Sequence, residues 1–268
     1  MSISIEKTNG EDLKELVDSL NFYEKVERAK ELLAWSFEKF GEKSVVANSI
    51  GKDSLVVWDL AKKVNPDVRG FIVTTAYKPP ETIKFMHDLV AEDKNLKVFK
   101  SDKDVGELYK TDPDQCCQIL KVEPVRQAVK EMDVECWITG LRCTEGRTRT
   151  DFKEIEQRDH GLIKLNPILL FKEREIWQYL ALYQVKINPL YGLGYRSLGC
   201  APCTVITTDD NERAGRWLNT SKCGGECGIH TQPLKAYTDV DLKKIDPAAI
   251  HPEEVMAGEI SKSDVADR

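Results

Sequence analysis

Between residues 44 and 139, short β-prone runs alternate with stretches of helical period, and few folds admit that alternation. Runs at 44–47, 71–74, 96–99 and 136–139 read as strands; 53–63, 80–91 and 116–132 read as helices. Alternation of this kind builds βαβ units, hence an α/β fold with a mostly parallel twisted sheet and helices on both faces. Such sheets bind ligands beyond the carboxyl ends of their strands. The loops 49–54, 74–80 and 140–150 each follow a strand, so they are expected to converge.

The flanks are simpler. Residues 12–41 carry a helical period, with Leu13, Leu16, Val17 and Leu20 in phase, a break near Asn21 and a stop at Gly41. After residue 161 the pattern is less regular: 173–183 reads as a helix, 189–202 as loop and 210–218 as a short helix. Beyond about residue 237 the chain is polar and reads as a peripheral tail. Three parts follow: N-terminal helices at 1–43, an α/β domain at 44–218, and a C-terminal segment at 219–268. No run approaches the ~18–20 apolar residues of a membrane helix, and the first residues lack an apolar signal core. A cytoplasmic protein without a membrane partner is expected. The formal charge of −6 argues against general nucleic-acid affinity.

Ser49-Ile50-Gly51-Lys52-Asp53-Ser54 lies between a strand and a helix. Backbone N–H groups there can hold an anion, aided by the helix dipole and by Lys52. A Walker A loop would need Gly at Val46 and Ser or Thr at Asp53, so this is not one. An ordinary turn with a helix cap is the alternative reading.

The eight cysteines are clustered rather than spread. Cys116 and Cys117 are adjacent, Cys200 and Cys203 form Cys-x-x-Cys, and Cys223 and Cys227 follow; Cys136 and Cys143 stand apart. Four thiolates can bind zinc or a [4Fe–4S] cluster, and tandem cysteines do not make the usual zinc knuckle. Cys223 and Cys227 are either surface thiols, a disulfide pair or reactive groups flanked by Gly224, Gly225 and Gly228. Lys222 and His230 can favour a thiolate there.

The phosphate loop resembles the Ser-Gly-Gly-Lys-Asp-Ser loop of PP-loop adenine nucleotide α-hydrolases, with Ile50 at the first glycine. The cysteine pattern, with Lys121-Val122-Glu123-Pro124 and Glu226-Cys227-Gly228-Ile229-His230, resembles assimilatory adenylylsulfate reductases. Thr139-Gly140-x-Arg142 with Arg149, and Glu212-Arg213-x-x-Arg216-Trp217, resemble that family's substrate-binding segments. Thr74-Thr75-Ala76 matches its Asp-Thr-Gly only at Thr75, and Cys223 has no counterpart. The resemblance implies a PP-loop fold ending in a flexible segment with the catalytic Cys227. It implies a [4Fe–4S] cluster on Cys116, Cys117, Cys200 and Cys203. Substrate contacts would come from Ser49, Gly51, Lys52, Ser54, Thr75, Lys121, Gly140, Arg142, Arg149, Arg213, Arg216 and His230.

The activity so implied is reduction of adenosine 5′-phosphosulfate to sulfite and AMP. It runs through S-sulfocysteine, with a thioredoxin- or glutaredoxin-type dithiol as reductant. Rivals are a reductase of the 3′-phosphorylated nucleotide, a PP-loop enzyme that thiolates nucleic acid with ATP, and a non-catalytic zinc protein. The number of subunits is open; a homo-oligomer is compatible with the chain.

Overall fold

The computed structural model describes residues 10–145, 152–218, 220–222, 228–230 and 232–235. Two helices lead, α1 (Gly10–Ser19) and α2 (Phe22–Phe40). Asn21 separates them because its side chain accepts from the N–H groups of Tyr23 and Glu24, while Glu24 returns a bond to the Asn21 N–H. That reciprocal cap starts a new helix rather than continuing the old one.

The alternation then proceeds as β1 (Ser44–Ala47), α3 (Lys52–Val64), β2 (Arg69–Thr74), α4 (Pro80–Glu92) and β3 (Leu96–Lys100). Next come α5 (Leu108–Thr111), α6 (Pro113–Cys117), a π-helix at Gln118–Val122, α7 (Glu123–Glu131) and β4 (Cys136–Ile138). Two short strands, β5 (Ile155–Gln157) and β6 (Ile163–Leu165), precede α8 (Glu173–Leu182). The sheet order is β3-β2-β1-β4-β6-β5. Only β5 runs antiparallel, against β6.

Side-chain alternation along the strands divides the core. Val46, Ile72, Cys136 and Ile138 point to the face covered by α2, α3, α4 and α8. Their neighbours Val45, Phe71 and Trp137 point to the other face, which α7 covers with Val125, Ala128 and Val129. Helices on both faces leave the strand ends as the place for a cleft. Among the described residues no helix is long and apolar enough to cross a membrane.

One expectation is refined, one is corrected, and two strands are additional. The helix expected at 116–132 is present as an unbroken run of helical turns, but its winding changes within it. Pro124 has no N–H to return to the preceding turn, and the chain winds as a π-helix just before it. Residues 210–218 form turns, not a helix. Asp209 and Asn211 accept from the N–H groups of Asn211 and Arg213, which competes with helical bonding. Arg216 instead bridges to Thr204. Strands β5 and β6 lie outside the strand–helix alternation, with no α-helix between them and polar Glu156, Gln157 and Lys164 within them, so nothing in the pattern marks them as strands.

A buried ion pair ties α2 to α8: Lys25 Nζ lies 2.8 Å from Glu175 Oε2, with side chains 1% and 5% exposed. Glu175 also accepts the Lys172 N–H at the start of α8. Lys25→Met should cost about 3–5 kcal/mol, because it strands a buried carboxylate. Lys25→Met/Glu175→Gln should recover most of that loss in urea denaturation. A single variant as stable as the parent would contradict the pairing.

Candidate active site

The chain runs from β1 outward through β2 and β3, then returns to add β4 on the other side of β1. That switch point opens a crevice at the strand ends, and the cleft found there is lined by Asn48, Ser49, Ser54, Thr139 and Gly140 among others. Gly140 is required by the closeness of the two loops: a Cβ built on it would lie 2.8 Å from the Ser54 backbone nitrogen. The loops at 49–54 and 140–145 therefore meet as expected, and Lys78 brings the loop after β2 to the same cleft.

The phosphate loop is held by Asn48. Its Oδ1 accepts from the Ile50 N–H at 2.9 Å and from the Ser54 hydroxyl at 3.0 Å. Ser54 shares that one hydroxyl proton with the Gly51 carbonyl at 2.9 Å and accepts from the Ser49 hydroxyl at 3.2 Å. Ile50 has φ +65°, left-handed backbone that a β-branched residue adopts at a cost. It stands where the PP-loop pattern has glycine, and its side chain is fully buried. The Asn48 bond to its N–H closes a turn that supports this conformation.

Lys52 and Arg142 lie beneath the loop, 1% and 0% exposed. Lys52 Nζ donates to Glu212 Oε2 at 2.8 Å. Arg142 donates to Asp53 Oδ1 at 2.5 Å and to Glu212 Oε2 at 2.6 Å. Burial lowers the pKa of each cation; for Lys52 the charges of Asp53, Tyr191 and Glu212 outweigh it, and for Arg142 those of Asp53, Glu145 and Glu212. Both pKa values end above their ordinary ranges.

The cysteines lie behind the facing wall, which is lined by Lys121, Gly199, Arg216 and Trp217 rather than by the thiols themselves. Cys116, Cys117, Cys200 and Cys203 are all buried. Burial, with negative charge on Cys117, Cys200 and Cys203, pushes the Cys116 thiol up to about 11 against the pull of Lys121. At Cys200 burial is overcome by Lys121, Lys78, the Thr75 hydroxyl and Arg216, which hold the thiol below its ordinary value. Thr75 Oγ1 lies 3.3 Å from Cys200 Sγ, and Lys121 Nζ 3.8 Å from Cys117 Sγ. The four thiols thus act on one another's ionisation: Cys200 is held below its ordinary value, while burial pushes Cys116 and Cys203 above theirs. A set of four sulfurs fits an iron–sulfur cluster by its donor chemistry. Among the described residues, no three His, Cys, Asp or Glu side chains are arranged to hold a metal ion.

Arg213 Nη1 lies 3.3 Å from Glu145 Oε1, and Arg216 donates to the Leu198 carbonyl at 2.8 Å while stacking 4.4 Å from the Trp217 ring. His230 stacks on Trp137 with ring centres 5.5 Å apart. Arg213, Arg216, Lys121 and His230 all line the cleft. Arg149, Cys223 and Cys227 lie outside the described residues. Asn48, Trp137, Tyr191 and Glu212 were not singled out from the sequence for these positions. Glu212 stood inside a quoted motif, whereas the other three carried no motif signal. Among the described residues, the buried donors Asn48 Nδ2 and Trp137 Nε1 make no hydrogen bond.

Fold and cleft define a parallel α/β protein of the PP-loop class. The chain matches the phosphoadenosine phosphosulfate reductase domain over residues 43–206, and it belongs to that family. It is 32% identical over 214 residues to the adenosine 5′-phosphosulfate reductase of Geobacillus kaustophilus, covering 75% of this chain and 89% of that one. It is equally identical over 215 residues to adenosine 5′-phosphosulfate reductase 2 of Bacillus subtilis, with the same 75% and 89% shares. A phosphoadenylyl-sulfate reductase from Candida auris, crystallised as a phosphate complex, superposes with a TM-score of 0.59 at 25% identity. That match covers 76% of this chain and 100% of the other. An FMN adenylyltransferase of Candida glabrata shares the fold, with a TM-score of 0.57 at 17% identity over 87% of this chain and 84% of its own.

Asn48→Ala should weaken AMP binding about tenfold, or about 1.4 kcal/mol, because Ile50 loses the bond that supports its left-handed backbone. Adding Ile50→Gly should restore much of that affinity, since glycine adopts this φ freely. Titration calorimetry of the single and double variants checks it. Unchanged AMP affinity in Asn48→Ala, or a further loss with Ile50→Gly, would contradict the account.

Proposed function

We propose that this chain reduces adenosine 5′-phosphosulfate to sulfite and AMP in sulfate assimilation. The observation that carries the reading is a cleft with a phosphate loop on one side and Lys121, Arg213, Arg216 and Trp217 on the other, with four neighbouring buried thiols behind that second wall. The names of the relatives at 32% identity support the same substrate.

The 5′-phosphoryl group would sit against the backbone N–H groups of the 49–54 loop other than those of Ile50 and Lys52, which Asn48 and Tyr191 hold, where the α3 dipole favours an anion. Phe71, Val73 and Trp137 give the cleft an apolar floor suited to a purine, and Asn48 Nδ2 and Trp137 Nε1 are donors a nucleotide can use. Lys121, Arg213 and Arg216 face the sulfate end, where charge redistributes during transfer.

The Cys227 thiolate attacks the sulfur of the phosphosulfate. The S–O bond to the phosphate breaks, AMP leaves with the electron pair, and Cys227 carries a sulfonate. One thiolate of a thioredoxin- or glutaredoxin-type dithiol attacks Cys227 Sγ and displaces sulfite; its second thiol closes a disulfide on the reductant. Both electrons come from the dithiol, and Cys227 is regenerated as thiolate.

Cys116, Cys117, Cys200 and Cys203 would hold a [4Fe–4S] cluster. Such a cluster would supply order to this wall and positive polarisation toward the sulfate. Lys121 holds a cation between Cys117 and the cleft.

Protein purified without oxygen, given thioredoxin and either sulfonucleotide, should release sulfite with a larger kcat/KM for the form lacking the 3′-phosphate. It should contain about four iron and four sulfide per chain, a stoichiometry set by the cluster type. A tenfold preference for the 3′-phosphorylated form would assign the other substrate. ATP turnover without sulfite release would replace the reading with a thiolation enzyme. Stoichiometric zinc in place of iron would refute the cluster.

A further inference from the structure

The string Lys52-Asp53-Ser54 is the part of the phosphate loop that suits a nucleoside triphosphate. A lysine at such a place ordinarily spends its charge on the outer phosphates. Here the Lys52 ammonium is engaged from several sides. Glu212 Oε2 accepts its proton at 2.8 Å, the Arg196 carbonyl lies 3.2 Å away, and Asp53 Oδ2 3.5 Å away. The Tyr191 ring lies 5.8 Å from Nζ, and the Tyr191 hydroxyl accepts the Lys52 backbone N–H at 2.8 Å. Arg142 binds the same Glu212 oxygen and, on its other side, Asp53. Two cations and two carboxylates therefore sum to zero formal charge, and neither cation is exposed to solvent.

A phosphate oxygen recruiting Lys52 fully would have to compete with Glu212, the nearest of the lysine's three oxygen neighbours. Displacing Glu212 would leave a carboxylate, 7% exposed, with one cation fewer, and breaking such a pair from one side is strongly unfavourable. A monophosphate needs little from Lys52, because the backbone N–H groups and the helix dipole serve a single phosphoryl group. A triphosphate carries more negative charge and needs additional cations.

We infer that Glu212 is a specificity-determining residue, which by engaging Lys52 withholds a cation from the outer phosphates and so removes the affinity advantage of a nucleoside triphosphate over a monophosphate. Glu212 precedes Arg213, so one turn supplies both the restraint on Lys52 and a cation facing the cleft. The inference deepens the proposed reduction of a sulfonucleotide and rests on it for the identity of the natural ligand.

The test is binding of AMP, ATP and inorganic pyrophosphate to the full chain, measured by calorimetry in magnesium-free buffer so that no divalent ion supplies charge. The unmodified chain should bind AMP at least as tightly as ATP. Glu212→Gln should raise the ratio of ATP to AMP affinity about tenfold and should raise affinity for pyrophosphate. Lys52→Met/Glu212→Gln should return the ratio to the parental value, and Glu212→Asp, which keeps the charge, should stay near it. ATP binding tenfold tighter than AMP in the unmodified chain would overturn the inference, whether or not any variant folds. A gain that persists without Lys52 would also overturn it. Sulfite release is read separately, so loss of the reductase assignment would show there while this ratio still stood.

Discussion

Asp53, Arg142, Glu212 and Lys52 join three stretches of chain far apart in sequence. Lys52 and Asp53 open α3, Arg142 follows β4, and Glu212 belongs to the turns near residue 212. Removing one member of a buried set of this kind costs about 3–5 kcal/mol, because the remaining charge stays buried. The rest of the cleft depends on this junction. Gly140 brings the β4 loop onto the N-terminus of α3, Arg142 secures it there, and Glu212 fixes the turn from which Arg213 and Arg216 reach the cleft.

The cleft is electrically uneven as a consequence. At the phosphate loop the side-chain charges cancel, and the attraction for an anion comes from backbone N–H groups and the helix dipole. At the opposite wall, Lys78, Lys121 and Arg216 act on the buried thiols, strongly enough to hold Cys200 below its ordinary pKa despite burial. A ligand with a phosphoryl group at one end and a second anionic group at the other matches this division. The π-helix at Gln118–Val122 belongs to the same wall, bringing Lys121 Nζ to 3.8 Å from Cys117 Sγ.

Much of the fold was legible because the signals are local. Helical periods, the break near Asn21 and the β-prone runs at β1 to β4 each lie within a few residues, and the structure has those elements. Strands β5 and β6 carry polar Glu156, Gln157 and Lys164 and have no α-helix between them, so neither composition nor alternation marks them. The turns at 210–218 deceived because Arg213 and Arg216 have helical spacing, while the Asx bonds from Asp209 and Asn211 favour turns. In the cleft, the loops and the cysteine pairs could be read as motifs. The ion pairs could not: Lys52 and Glu212 are 160 positions apart, and only the folded chain brings them together. Asn48 was invisible for a related reason, since its part depends on the left-handed backbone at Ile50.

Transfer of sulfur to the protein is the step on which the account turns. The direct measurement is incubation of the anaerobic full chain with adenosine 5′-phosphosulfate labelled in its sulfur, without reductant, followed by peptide mapping. The account predicts one labelled sulfonate per chain, a mass gain of about 80 Da on the nucleophilic thiol, located at Cys227 and released as sulfite by thioredoxin. Label at Cys223, or AMP release with no labelled protein, would contradict it.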